Sequence, residues 1–128
     1  MYQKLILIGN LGRDPEMRYT PDGKPVTSFS VATSRKFRDK DETAWFRVTV
    51  WGPQAESCNQ YLHKGSRVLV EGRLTPDATT GGPHLYQKKD GTWGANFEVN
   101  AQTVRFLTAK GEETAADETV VEEDDIPF

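Results

Sequence analysis

The stretch Thr43–Gly52, TAWFRVTVWG, constrains the fold of this chain more than any other. Read with a period of two, it has two dressed faces. Phe46, Val48 and Val50 make an ordinary core face, while Trp45, Arg47, Thr49 and Trp51 point the other way. At about 3.3 Å per residue the two indoles lie roughly 20 Å apart, too far for one ring to cover the other. Two readings follow. Either a second layer buries both rings, as tryptophan usually is, or the face offers flat π-surfaces with a guanidinium between them, as an extended single-stranded nucleic acid requires.

The flanking sequence supplies partners for this strand. Lys4–Ile8 (KLILI) is a short apolar run, ended by Gly9-Asn10; it reads as a strand buried on both sides or paired with another subunit. The GNLG that follows fits no phosphate-loop pattern and reads as a bend or bulge. Thr20-Pro21-Asp22-Gly23 is a turn signal, and Val26–Thr33 then alternates Phe29 and Val31 against Ser28 and Ser30. After Gly52, Pro53 opens a short helix with Ala55, Cys58, Tyr61 and Leu62 on one face, closed by Gly65. Ser66–Leu74 is a fourth strand, with Val68 and Val70 opposite Arg67, Leu69, Glu71 and Arg73. In LYQKKDGTWG, Asp90-Gly91 predicts a two-residue hairpin turn with Lys89 opposite Thr92 and Lys88 opposite Trp93. Ala95–Leu107 is the fifth strand, alternating Phe97, Val99 and Ala101 against Asn96, Glu98 and Asn100.

Composition bounds the function. A chain of 128 residues suggests one domain. Its net charge of −3 hides a division: residues 1–108 carry a surplus of four positive charges, and residues 109–128 a balance of −7. A mildly basic body suggests an anionic partner. The acidic tail reads as solvated and disordered. The single cysteine, Cys58, excludes an internal disulfide and reads as a small buried hydrophobe. With only His63 and His84 beside it, there is no metal-ligand cluster, and neither a metal nor another cofactor is expected. No long apolar run or signal-peptide pattern is present, so a soluble protein with no membrane partner is expected. No nucleophile–base pair is evident, and an enzyme is not expected.

Aromatic and basic residues recur together outside the central strand. Ser34–Glu42 holds Arg35, Lys36, Arg38 and Lys40 around Phe37, and reads as a charged, mobile loop. Phe37 either folds back onto the core or is a stacking aromatic. The Asp90-Gly91 ribbon carries Tyr86, Trp93, Lys88 and Lys89. The candidate stacking set is Phe37, Trp45, Trp51, Tyr86 and Trp93. The candidate phosphate contacts are Arg35, Lys36, Arg38, Arg47, Lys64, Arg67, Arg73, Lys88 and Lys89.

Five strands with a helix between the third and fourth match the order of the OB-fold, a small barrel that binds oligonucleotides. The expected class is all-β with one short helix: a five-stranded OB-fold barrel over 1–108, a flexible acidic linker over 109–121, and an acidic tip over 122–128. The chain resembles the bacterial-type single-stranded DNA-binding proteins. The resemblance is carried by GNLGRDPEMRYTPDGKPV, TAWFRVTVWG, YLHKGSRVLVEGRL and the DDIPF terminus, and covers nearly the whole chain. It implies base stacking at Phe37, Trp45, Trp51 and Tyr86, and phosphate contact at Arg47 with Lys64 nearby. It also implies a homotetramer whose first strands pair between subunits. The chain departs from the family pattern at Pro53, where relatives often carry a basic residue, and at Phe46, where a relative has a histidine at a subunit contact. Trp93 is an added aromatic.

The function so implied is sequence-independent binding and protection of single-stranded DNA in replication, recombination and repair, in the bacterial cytoplasm and at the nucleoid. The tip residues Asp124, Asp125, Ile126, Pro127 and Phe128 would recruit other genome-maintenance proteins, offering acids, a ring and a terminal carboxylate to a basic-rimmed pocket. A linker of thirteen residues spans about 20 Å root-mean-square, enough for the tip to compete with DNA for a basic groove. Alternative readings are an OB-fold RNA-binding or chaperone module, and a replication-restart scaffold acting through protein contacts.

Overall fold

Strands with one apolar face must close on a partner layer, and here the sheet closes on itself. The computed structural model describes residues 1–107. It contains β1 (Leu5–Leu11), β2 (Glu16–Tyr19), β3 (Pro25–Phe37), β4 (Lys40–Trp51), α1 (Pro53–Tyr61), β5 (Arg67–Thr75), β6 (His84–Gln87) and β7 (Trp93–Phe106). The strands run in the order β1-β5-β7-β4-β3-β2, and β1 also pairs with β3, which closes a five-stranded barrel. β4 and β7 are parallel; every other pair is antiparallel. β2 and β6 are short ribbons added to the outside of β3 and β7. This is the OB-fold expected from the order of elements.

The barrel is filled by the inward set of each strand: Leu7 and Leu11, Phe29 and Val31, Val48 and Val50, Val68 and Val70, and Val99. α1 plugs one end with Ala55, Cys58 and Leu62, and the buried Thr27 hydroxyl donates 2.6 Å to the Ala55 carbonyl. Burial pushes the Cys58 thiol up to about 12, so it is a packing group and not a nucleophile. The closure explains Gly9. β1 runs through it without a bulge, and a Cβ there would strike the Ala32 carbonyl and lie 2.7 Å from Val31 Cγ1, where β1 passes from β5 to β3.

Several expectations are corrected. Of the two readings of β1, burial on both sides within this chain is overturned: Ile6 and Ile8 stand on the outer face, about half exposed, and the reading left is a strand that pairs with another subunit. Tyr61 leaves the buried helix face and pairs with the Phe106 ring at 6.3 Å, because α1 ends there and Leu62 turns to extended backbone. Gly65 does not cap the helix. It takes the positive φ of a turn in which the Ser66 N–H donates to the His63 carbonyl. The segment Ser34–Glu42 is not a loop but a continuous hairpin, with Arg35 opposite Glu42 and Phe37 opposite Lys40. Only Arg38 and Asp39 turn the chain, Arg38 at φ 58°.

The register at the second hairpin is also corrected. Gln87, not Lys88, stands opposite Trp93. The loop has three residues, Lys89-Asp90-Gly91: the Gly91 N–H donates to the Lys88 carbonyl, and the Lys88 N–H to the Thr92 carbonyl. Gly91 takes φ 90°, and the Thr92 hydroxyl and N–H both donate to Asp90 Oδ1. This is the three-residue hairpin geometry, with a left-handed residue after the turn. The linker expected at 109–121 and the tip at 122–128 lie outside the described residues.

Candidate nucleic-acid interface

The outer wall of β3, β4 and β7, flanked by β2 and β6, forms an open groove of about 740 Å³. Its floor follows from the alternation of the strands. Ser28 and Ser30 come from β3, Arg47 and Thr49 from β4, and Asn96 and Glu98 from β7; Tyr86 and His84 line it from β6. Trp45 and Trp51 lie at the two ends of the β4 face, 52% and 48% exposed. The burial alternative for these indoles is therefore excluded within this chain. A second hollow beside Trp51 is lined by Lys24, Pro25 and Asn100.

The other aromatics divide. Tyr86 lies on the groove face, directly opposite Gly94. Trp93, 67% exposed, pairs with Gln87, and strand alternation puts it on the reverse of that ribbon. Phe37 is exposed and does not fold back onto the core. It lies instead against two guanidiniums, Arg35 at 5.5 Å and Arg38 at 5.4 Å from the ring centroid. By alternation Phe37 shares a face with Arg35, Thr33 and Val31, the opposite side of the β3–β4 ribbon from Trp45.

The basic residues also divide. Arg47 lies on the groove floor. Arg73 is exposed and pairs with Asn100, which pairs in turn with Thr49, so it extends the same outer surface. Lys64 is exposed, and its backbone N–H donates 2.8 Å to Asp14, bringing its turn beside the segment after β1. Arg35, Lys36 and Arg38 stand on the first hairpin, and Lys88 and Lys89 on the second, all exposed. Arg67 is corrected: it is 9% exposed at the start of β5 and does not present its guanidinium to a polyanion.

Arg13 and Arg18 were not foreseen. Both line the groove: Arg18 is carried there by β2, which pairs along β3 from Glu16↔Ser28 to Tyr19↔Pro25, and Arg13 by the segment that leads from β1 into it. The signal was available: the GRDPEMRY segment, with two arginines, runs into the Thr20–Gly23 turn, which returns the chain as a hairpin, the Gly23 N–H donating to the Thr20 carbonyl. The field is not uniformly positive. Glu98 stands in register with Arg47, and Asp14 and Glu16 line a small cavity between Arg13 and Arg47.

At the rim, the loop before β6 is organised by Asp77. Its carboxylate accepts the N–H groups of Thr79, Thr80 and Leu85 with His84 3.7 Å away, and these hydrogen bonds hold it below the usual carboxylate range. The surface is thus a shallow, amphipathic track of exposed rings, guanidiniums, hydroxyls and amides. Among the described residues no group of His, Cys, Asp and Glu is arranged to hold a metal ion.

The profile of the single-strand binding protein family matches residues 2–107. A single-stranded DNA-binding protein of Wolinella succinogenes is 38% identical over 116 residues, covering 87% of this chain and 67% of that protein. One from Neisseria meningitidis serogroup A is 40% identical over 114 residues, 85% of this chain and 62% of its own length. One from Helicobacter hepaticus is 35% identical over 115 residues, 86% of this chain and 64% of its own. The chain spans a little under two thirds of the length of most of these relatives.

Proposed function

The chain belongs to the single-strand binding protein family, and from that premise we propose that its barrel binds single-stranded DNA without regard to sequence, holding it open and protected during replication, recombination and repair. The observation that carries this reading is the outer face of β4: Trp45 and Trp51 half exposed, with Arg47 between them and Tyr86 alongside. Each base stacked on such a ring contributes about 1–3 kcal/mol, and any base has a face to stack. Arginines on the floor and rim neutralise phosphates, so affinity falls with salt by a log–log slope of about 0.7 per phosphate. Duplex DNA binds poorly, because its bases are already stacked. The protein acts as a stoichiometric coat with no reaction of its own.

Two further features belong to this proposal. Ile6 and Ile8 on the outer face of β1 suit pairing with a second copy, toward a homotetramer. The tip, Asp124, Asp125, Ile126, Pro127 and Phe128, recruits replication, recombination and repair proteins and, when unoccupied by them, competes with DNA. Removing residues 122–128 should then tighten DNA binding most at low salt; an unchanged low-salt affinity would discard the competition.

The test of the central reading is a titration with oligo(dT) at several salt concentrations, following tryptophan emission, with the mass measured in solution. Strong quenching with a salt-dependent site size is expected. No quenching at saturation would refute it. The same titration with an RNA homopolymer separates DNA binding from an RNA-binding role.

A further inference from the structure

Two glycines beside the groove are not required by the backbone. Neither Gly12 nor Gly94 has a positive φ, and at each the three atoms nearest a Cβ would be side-chain atoms, not backbone. In both places the room a side chain would take is filled by an aromatic ring of the groove face. A Cβ on Gly12 would lie 2.6 Å from Cζ3 and 2.8 Å from Cη2 of Trp45. A Cβ on Gly94 would lie 2.5 Å from Cζ, 2.7 Å from Oη and 3.0 Å from Cε1 of Tyr86.

The register explains how each ring reaches its glycine. Tyr86 and Gly94 are directly opposed across the β6–β7 ribbon. Trp45 is opposite Ala32 on β3, and on the far side of β3 the Gly12 N–H donates 3.1 Å to the Ser30 carbonyl. The indole therefore spans a strand whose nearby outward residues, Ser30 and Ala32, are small. The two sites lie in different parts of the chain, Gly12 just after β1 and Gly94 on β7, yet share one arrangement.

We propose that Gly12 and Gly94 are the seats of Trp45 and Tyr86. Without a Cβ beneath it, each ring settles onto the backbone with part of its surface covered and the rest, 52% for Trp45 and 38% for Tyr86, left open. The rings are thereby held in place before the ligand arrives, and less order has to be imposed on binding. Gly12 and Gly94 are positioning residues, and the inference rests on the reading of both rings as base platforms. A glycine covered by a cross-strand aromatic also has a purely structural explanation, shielding of the backbone. Binding, measured apart from stability, separates the two.

The experiment is a pair of double-mutant cycles in the full chain: Gly94→Ala with Tyr86→Ala, and Gly12→Ala with Trp45→Ala. Each variant is titrated with oligo(dT) and melted. Neither position has a positive φ, and the obstructing neighbour is a movable ring, so both glycine variants should stay folded. Each should weaken binding about two- to threefold, a part of what loss of a whole stack costs. In the Tyr86→Ala background Gly94→Ala should add nothing, and likewise Gly12→Ala in the Trp45→Ala background. In a Trp51→Phe, Trp93→Phe background, Gly12→Ala should also move the emission of Trp45 to longer wavelength as the indole lifts into water. Glycine variants that bind like the parent, while Tyr86→Ala and Trp45→Ala weaken binding, would overturn the inference. So would equal losses with and without the ring, which mark a structural role. Ring variants that bind like the parent would overturn the stacking reading itself.

Discussion

The β3–β4 and β6–β7 hairpins are alike in composition and differ in how they are held. Each carries an aromatic on either face and several cations toward its turn. In each, strand alternation sends one aromatic to the groove face, Trp45 or Tyr86, and the other to the reverse, Phe37 or Trp93. The first ribbon is the end of a twelve-pair ladder that runs from Val26↔Trp51 to Phe37↔Lys40. Trp45 and Trp51 therefore stand on the barrel wall itself. The second ribbon has four paired positions, and all four β6 side chains are exposed. Its geometry depends on the Asp90–Thr92 hydrogen bonds at its turn. Similar sequences thus make a rigid platform in one place and a short, turn-dependent arm in the other.

The largest expected effects test the division between faces. Trp45→Ala and Trp51→Ala should each weaken oligo(dT) binding by about 1–3 kcal/mol, five- to 150-fold. Phe37→Ala and Trp93→Ala should change it by less than about threefold, since neither ring lies on the groove face. Affinities measured at one salt concentration decide this, and a Phe37→Ala loss matching that of Trp45→Ala would end the distinction. Next in size is Tyr86→Ala. Its arm is less constrained, so the loss should fall at the low end, about three- to tenfold, and exceed that of Trp93→Ala.

The barrel was largely legible because burial leaves a period-two trace. Val48 and Val50, Val68 and Val70, and Phe29 and Val31 each announced a core face, and each is in the core. The groove face was legible for the same reason, as the complement of those sets. What burial does not mark was missed. β2 pairs through its backbone, and only Met17 is even partly buried; Arg13 and Arg18 went unnoticed with it. The hairpin over Ser34–Glu42 is a ladder of exposed, charged residues, and its composition resembles a loop. The register of β6–β7 turned on one residue. A two-residue turn would have put Trp93 on the same face as Tyr86; the three-residue turn sends it to the other. Arg67 shows the converse limit, because alternation set its direction but not what covers it.

Electrostatic effects on the rigid wall should be smaller and visible mainly in salt dependence. Arg47→Met should lower the log–log salt slope by about 0.7, the contribution of one phosphate. Glu98, in register with Arg47, opposes a polyanion. Glu98→Gln should therefore tighten binding a few-fold at low salt, the gain shrinking as the Debye length falls to about 8 Å at physiological ionic strength. A gain that persists undiminished at high salt would show that Glu98 acts by shape and not by charge.

The smallest effect belongs to the arm. Asp90 is held below its ordinary value of 3.8 by the Thr92 hydroxyl and N–H. Because its folded pKa is depressed, the order it lends the turn is present above the ordinary carboxylate range and is lost as pH falls through the folded value. Hydrogen exchange reads this directly at the Lys88 amide, which donates to the Thr92 carbonyl across the loop. That amide should lose protection on acidification through that range, while the Val48 and Val70 amides of the barrel keep theirs. Asp90→Asn retains an acceptor but not the charge, so the pH dependence should vanish with the register unchanged. At neutral pH its DNA affinity should stay within about twofold of the parent, a small fraction of one stack. If acid loosened the barrel amides and the Lys88 amide together, the arm would be as rigid as the wall, and the contrast between the two hairpins would reduce to register alone.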